Sequence, residues 1–123
     1  MKPSITNKMT KKDKNIPPQH GEIVIYMTDD KEARLDVKLE DDTVWLTQKQ
    51  VAELFKTERS VVTKHLNNIF KSNELVKERN VQKMHIPFSD KPVSFYNLDV
   101  IISLGYRVNS KRATQFRIWA TNE

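Results

Sequence analysis

Residues 59–70 concentrate a particular kind of chemistry. Arg59, Ser60, Val61, Thr63, Lys64, Asn67 and Asn68 bring one guanidinium, one ammonium, two hydroxyls and two carboxamides onto what should be one face of a helix, with no acid among them. Such a face donates hydrogen bonds. Arg and Lys bond the acceptors of guanine, Asn pairs with adenine, Ser and Thr suit bases or phosphates, and Val61 can touch a thymine methyl. We therefore expect Arg59, Ser60, Val61, Thr63, Lys64 and Asn67 to read the major groove of double-stranded DNA. Lys71, Arg79, Lys83, Lys91, Lys111 and Arg112 are the expected phosphate contacts, which give affinity without reading sequence. The bland alternative is the solvated face of an ordinary helical hairpin.

The elements around these residues favour the first reading. In WLTQKQVAELFKTERSVVTKHLNNIF, residues 45–70, Thr47 and Gln50 have the spacing of a reciprocal capping box that opens a helix. Val51, Ala52, Leu54 and Phe55 form its buried side. Lys56, Thr57 and Glu58 are a turn too short for a loop, and Glu58 is placed to cap a second helix, in which Val62, Leu66 and Ile69 recur at intervals of three and four. This is the pattern of a helix-turn-helix, whose second helix enters the major groove by its first turns.

The net charge of +5 is segregated along the 123 residues. Residues 1–20 hold five Lys against one Asp, residues 21–55 four bases against nine acids, residues 56–83 seven bases against three acids, and residues 84–123 five against three. A basic block starting at the reading helix, beside an acidic one, suits docking of one face on a polyanion. With no cysteine there is no thiolate metal site or disulfide. No apolar run approaches the ~20 residues that span a bilayer, and the lysines at the N-terminus precede no apolar signal core. A cytoplasmic protein with no membrane association is expected.

Taken in order, residues 1–20 read as a disordered basic arm, and residues 21–123 as one domain. Residues 22–27 and 34–40 have strand patterns and make a hairpin with its turn at residues 28–32. Asp41-Asp42 is a second turn leading to a short strand over residues 44–46, its acids being turn formers rather than metal ligands. Residues 81–86 and 93–96 make a second hairpin, in the place of a wing. Asn97 is expected to cap a helix burying Leu98, Ile101 and Ile102 and stopped by Gly105. Ser110 is expected to cap a last helix through Trp119, with Ala113, Phe116 and Ala120 inward. The sequence ends without a helix-stop signal, as a fragment of a longer protein would. The expected fold class is α+β: a winged helix-turn-helix-like domain with two β-hairpins and about four helices.

Two stretches, residues 45–70 above and FYNLDVIISLGYRVNSKRATQFRIWAT, residues 95–121, resemble the RhuM family of bacterial virulence-associated proteins carried on mobile islands. The resemblance covers residues 21–121, and the second stretch is its more specific part. It implies a longer protein with a DNA-binding module, similar in style to the N-terminal modules of phage antirepressors. Two positions depart from the usual helix-turn-helix pattern: Lys56 stands where glycine is common, and Glu58 where Ser or Asp usually caps.

The leading expectation is thus a DNA-binding domain of a RhuM-type regulator reading the groove with the helix at 59–70. The alternative is an adaptor that uses the helix pair as scaffold and recruits a protein partner through Arg107, Lys111, Arg112 and Arg117; a homodimer is a further possibility, with no residues assigned to its interface. No cofactor, metal or enzymatic activity is expected: there is no GxSxG, the only glycines are Gly21 and Gly105, and His20, His65 and His85 have no ligand or catalytic spacing.

Overall fold

The computed structural model describes residues 22–86 and 90–122. The basic arm expected at residues 1–20 and part of the turn expected at residues 87–92 lie outside them.

The chain begins with β1 (Glu22–Met27), β2 (Arg34–Glu40) and β3 (Thr43–Thr47), then α1 (Gln48–Leu54), α2 (Arg59–Lys71) and a one-turn α3 (Lys77–Asn80). It continues through β4 (Val81–Met84), β5 (Val93–Asn97), α4 (Leu98–Val108) and α5 (Ser110–Thr121). The class is α+β, as the alternating patterns imply. Among the described residues five helices are formed rather than about four, and the two hairpins merge into one antiparallel sheet in the order β1-β2-β3-β5-β4. The joining pair is β3 with β5, with Trp45 opposite Asn97 and Thr47 opposite Phe95. The helix pair is therefore an insertion between two neighbouring strands.

Local chemistry sets the turns. Thr28 opens the first one, donating its hydroxyl to Asp30 Oδ1 at 2.7 Å and accepting from the Ala33 amide at 3.1 Å. Asp41 and Asp42 form a two-residue loop with φ of 55° and 63°, the backbone that hairpins of primed type require and that Asp tolerates.

One face of the sheet carries the core: Tyr26, Leu35, Val37, Val44 and Leu46 pack under Val51, Leu54, Phe55, Val62, Leu66 and Ile69 of the helix pair and Val100, Ile101, Leu104, Ala113 and Phe116 of α4 and α5. Tyr26 meets Phe116 edge-on at 5.1 Å and Trp119 at 4.8 Å, fixing α5 against β1. On the other face Trp45 is buried and donates to the Glu40 carbonyl at 2.9 Å, and Lys38 lies over the Phe95 ring.

Two expected helix boundaries move. Gly105 does not stop α4, which runs on to Val108. A Cβ at Gly105 would lie 2.5 Å from Phe55 Cζ and 2.6 Å from Ala113 Cβ, so the missing side chain permits close packing of α4 on α1 and α5. The cap of α5 is Asn109, not Ser110: Asn109 Oδ1 accepts from the Arg112 amide at 3.2 Å, and its own amide closes α4 on the Gly105 carbonyl at 2.7 Å. The Asn97 cap of α4 forms as expected, with Val100 N donating to it at 3.3 Å. Ala113 and Phe116 are buried and Trp119 and Ala120 half-buried, the inward stripe read from the sequence.

Candidate nucleic-acid interface

The candidate interface is built on α1 and α2. Thr47 accepts from the Gln50 amide at 3.2 Å while Gln50 Oε1 accepts from the Thr47 amide at 2.9 Å, so both halves of the capping box are present. The first helix ends with Lys56 at φ 56°. Thr57 N donates to Ala52 O at 2.9 Å and Lys56 N to Glu53 O at 3.3 Å, the paired bonds of a Schellman stop that glycine usually makes. Lys56 takes this left-handed backbone and pairs with Glu32 at 3.0 Å. Glu58 occupies the cap position of α2, but its side chain makes no capping bond. At the far end Asn73, with φ 63°, repeats the Schellman pattern through Glu74 N to Ile69 O at 3.1 Å.

Along α2, Val62, Leu66 and Ile69 are buried, whereas Arg59, Ser60, Thr63, Lys64, Asn67, Asn68 and Lys71 are exposed. At about 100° per residue those exposed positions fall within one half of the helix circumference. Val61 and His65 flank this face and are half-buried. Thr63 has a structural engagement that spacing could not show. Its hydroxyl donates to the Arg59 carbonyl at 3.0 Å and accepts from Gln48 Nε2, which also donates to Arg59 O at 3.2 Å. Gln48, unremarked in the sequence, ties the start of α1 to the first turn of α2.

Of the expected phosphate contacts, Lys71 closes α2, Arg79 lies on α3, Lys83 on β4, Lys91 just before β5 and Lys111 on α5, all exposed. Arg112 is the exception. It is only 7% exposed, with Nη1 2.9 Å from the Leu54 carbonyl and Nη2 2.6 Å from Asp30 and 2.9 Å from Glu32. A buried guanidinium with three protein acceptors is a structural tie, not a surface for phosphate. The first of these carboxylates, Asp30, is held well below the usual carboxylate range by hydrogen bonds from the Thr28 hydroxyl and the Glu32 amide, then by Arg112.

Charge pairing divides the molecule. Between Arg59 and Lys83 the chain holds six bases (Arg59, Lys64, Lys71, Lys77, Arg79, Lys83) against two acids. One of those acids, Glu74, is bound by Arg107 and by Ser103 Oγ at 2.6 Å. None of the six bases takes part in an ion pair among the described residues, whereas Arg34, Lys38, Lys56, Arg107 and Arg112 all do. A separate open groove of about 500 Å³ runs beside α4, lined by Leu75, Leu98, Ile102, Tyr106, Arg107 and Arg117. Among the described residues no cluster of His, Asp or Glu is arranged to hold a metal ion, and no helix is long and apolar enough to cross a membrane.

A sheet-backed α+β domain presenting a short-turn helix pair is the class these features define. Residues 69–123 match the sequence profile of the Virulence protein RhuM family, a likeness confined to the C-terminal part of the chain. No curated protein and no solved structure matches the chain.

Proposed function

We propose that this domain binds double-stranded DNA in the manner of a winged helix-turn-helix, with α2 in the major groove and the β4–β5 hairpin as the wing, as the DNA-binding part of a RhuM-type regulator. The observation that carries the reading is the exposed face of α2: donors throughout, three cations without acid partners among the described residues, and no carboxylate along the helix. Arg59, Ser60, Val61, Lys64 and Asn67 read base edges, with Thr63 holding the first turn. Lys71, Arg79, Lys83 and Lys91 meet phosphates. The adaptor reading draws less support, because two of its four cations, Arg107 and Arg112, are already bound to Glu74, Asp30 and Glu32.

Fluorescence anisotropy against mixed-sequence duplexes and DNA flanking the gene tests the reading. Affinity should fall by orders of magnitude between ~50 and ~200 mM salt if six or more phosphates are neutralised. It should persist best for one duplex and vanish in the Arg59→Ala/Lys64→Ala double variant. A folded protein that binds no duplex at low salt would sink the proposal.

A further inference from the structure

The two edges of the sheet, β1 and β4, are finished differently. Proteins guard a free edge by keeping it short, charging it, placing proline in it or twisting it away with a bulge. β4 is four residues long and carries the exposed Lys83. β1 has six residues, no proline and a single charge, Glu22, at its first position. Its register with β2 runs unbroken from Glu22 opposite Leu39 to Met27 opposite Arg34, without a bulge. Among the described residues no strand pairs with its other side.

Alternate side chains of a strand share a face. On β1, Val24 and Tyr26 belong to the core face, half-buried and buried. Ile23, Ile25 and Met27, on the opposite face, are 60%, 51% and 47% exposed. They form one apolar row along the unguarded edge, a combination that invites another strand.

The strand is complementary to itself. A two-fold axis that pairs β1 antiparallel with its own copy stands perpendicular to the sheet, and residues opposite each other share a face. The axis therefore passes beside a residue that faces itself. Centred on Ile25, it sets Ile25 opposite Ile25, Ile23 opposite Met27 and Val24 opposite Tyr26. Every side chain from Ile23 to Met27 then meets an apolar or aromatic one, and Glu22 meets Thr28. Centred on Val24 instead, it would set the Glu22 carboxylate against Tyr26.

We propose that β1 is a homodimer interface, pairing with β1 of a second copy about Ile25 and joining two five-stranded sheets into one. Because α1, α2, α4 and α5 cover the same face of the sheet, the symmetry brings both helix layers to one side. The dimer does not depend on the DNA-binding reading. Three half-exposed side chains offer less than the roughly 800 Å² per partner of a standard stable interface, so it forms at high protein concentration and dissociates on dilution.

Single cysteines test the register, since the chain has none of its own. Directly opposite residues have Cα atoms about 4.5–5.5 Å apart, within disulfide reach. Ile23 and its own copy would be four residues out of step, about 13 Å at 3.3 Å per residue. In concentrated protein with oxidised glutathione, Ile25→Cys should cross-link about tenfold faster than Val76→Cys, an equally exposed control away from the edge. Ile23→Cys and Met27→Cys should each match the control alone and cross-link quickly when mixed. Ile25→Lys, which sets like charges face to face, should abolish the concentration-dependent rise in sedimentation coefficient and leave the melting temperature unchanged. Ile25→Cys no faster than the control, or a mixed pair no faster than its members, would overturn the proposal. So would outward β1 amides protected from exchange in a protein that stays monomeric at every concentration, which would mean that another segment of the same chain covers the edge.

Discussion

Arg112 and Asp30 lie 82 residues apart in the chain, and their guanidinium nitrogen and carboxylate oxygen meet at 2.6 Å. The same guanidinium reaches the Leu54 carbonyl, so one side chain of α5 ties the β1–β2 turn to the end of α1. That end leads directly into the turn before α2. The orientation of the proposed reading helix therefore depends on a residue far from it in sequence.

Replacing Arg112 by Ala leaves the Leu54 carbonyl without this donor and two carboxylates facing each other. The expected loss is about 2–3 kcal/mol of stability, measured as the urea midpoint. Arg112→Lys should recover only part of it, because a single ammonium cannot reproduce the planar fork that serves three acceptors. An unchanged midpoint in the Ala variant would overturn the tie.

Stability should fall in acid. Asp30 is lowered by Thr28, Glu32 and Arg112, and Glu74 by Arg107 and then Ser103, from ordinary values of 3.8 and 4.5. A carboxyl with a lowered folded-state pKa stabilises the protein fully above its unfolded value and loses that contribution as pH drops toward the folded one. The decline should begin near pH 4.5 and continue below 3.8. Thermal melts across that range should flatten in the Asp30→Asn/Glu74→Gln variant; an identical pH profile would refute the assignment.

Gly105→Ala should destabilise by about 1–3 kcal/mol, the usual cost of overpacking, despite alanine's better helix propensity. The added methyl meets the Phe55 ring and Ala113 at less than 3 Å. Calorimetry would decide it: a raised melting temperature would mean that propensity outweighs the clash.

Lys64→Ala should cost ~1–3 kcal/mol on a preferred duplex and less on others, whereas Lys71→Ala should weaken all duplexes equally and reduce the salt slope by about one. Equal effects of both changes on every duplex would remove the distinction between reading and positioning.

What could be read from the sequence was chemistry that closes within a few residues. The Thr47–Gln50 box, the Asp41-Asp42 turn, the Asn97 cap and the spacing of Val62, Leu66 and Ile69 all depend on neighbours along the chain. The pairing of β3 with β5 does not, since residues 48–92 lie between those strands, and neither does the role of Gly105, whose neighbours are Phe55 and Ala113. Arg112 looked like a free cation because its acids lie in the first hairpin. Asn80 is buried, donating to Val76 O at 2.6 Å and accepting from Asn97, 17 residues on, at 2.8 Å, and that second contact is the one spacing does not show. Ser110 was preferred to Asn109 as a cap by a shift of one residue, a choice that packing between α4 and α5 settles.

The insertion of α1 and α2 between adjacent strands has a kinetic corollary. Thr47 is both the last residue of β3 and the cap of α1, and Asn97 both the last residue of β5 and the cap of α4. Unravelling either helix start breaks into the same ladder, so amide protons of the helix pair should exchange with solvent together with those of β3 and β5, as one opening unit.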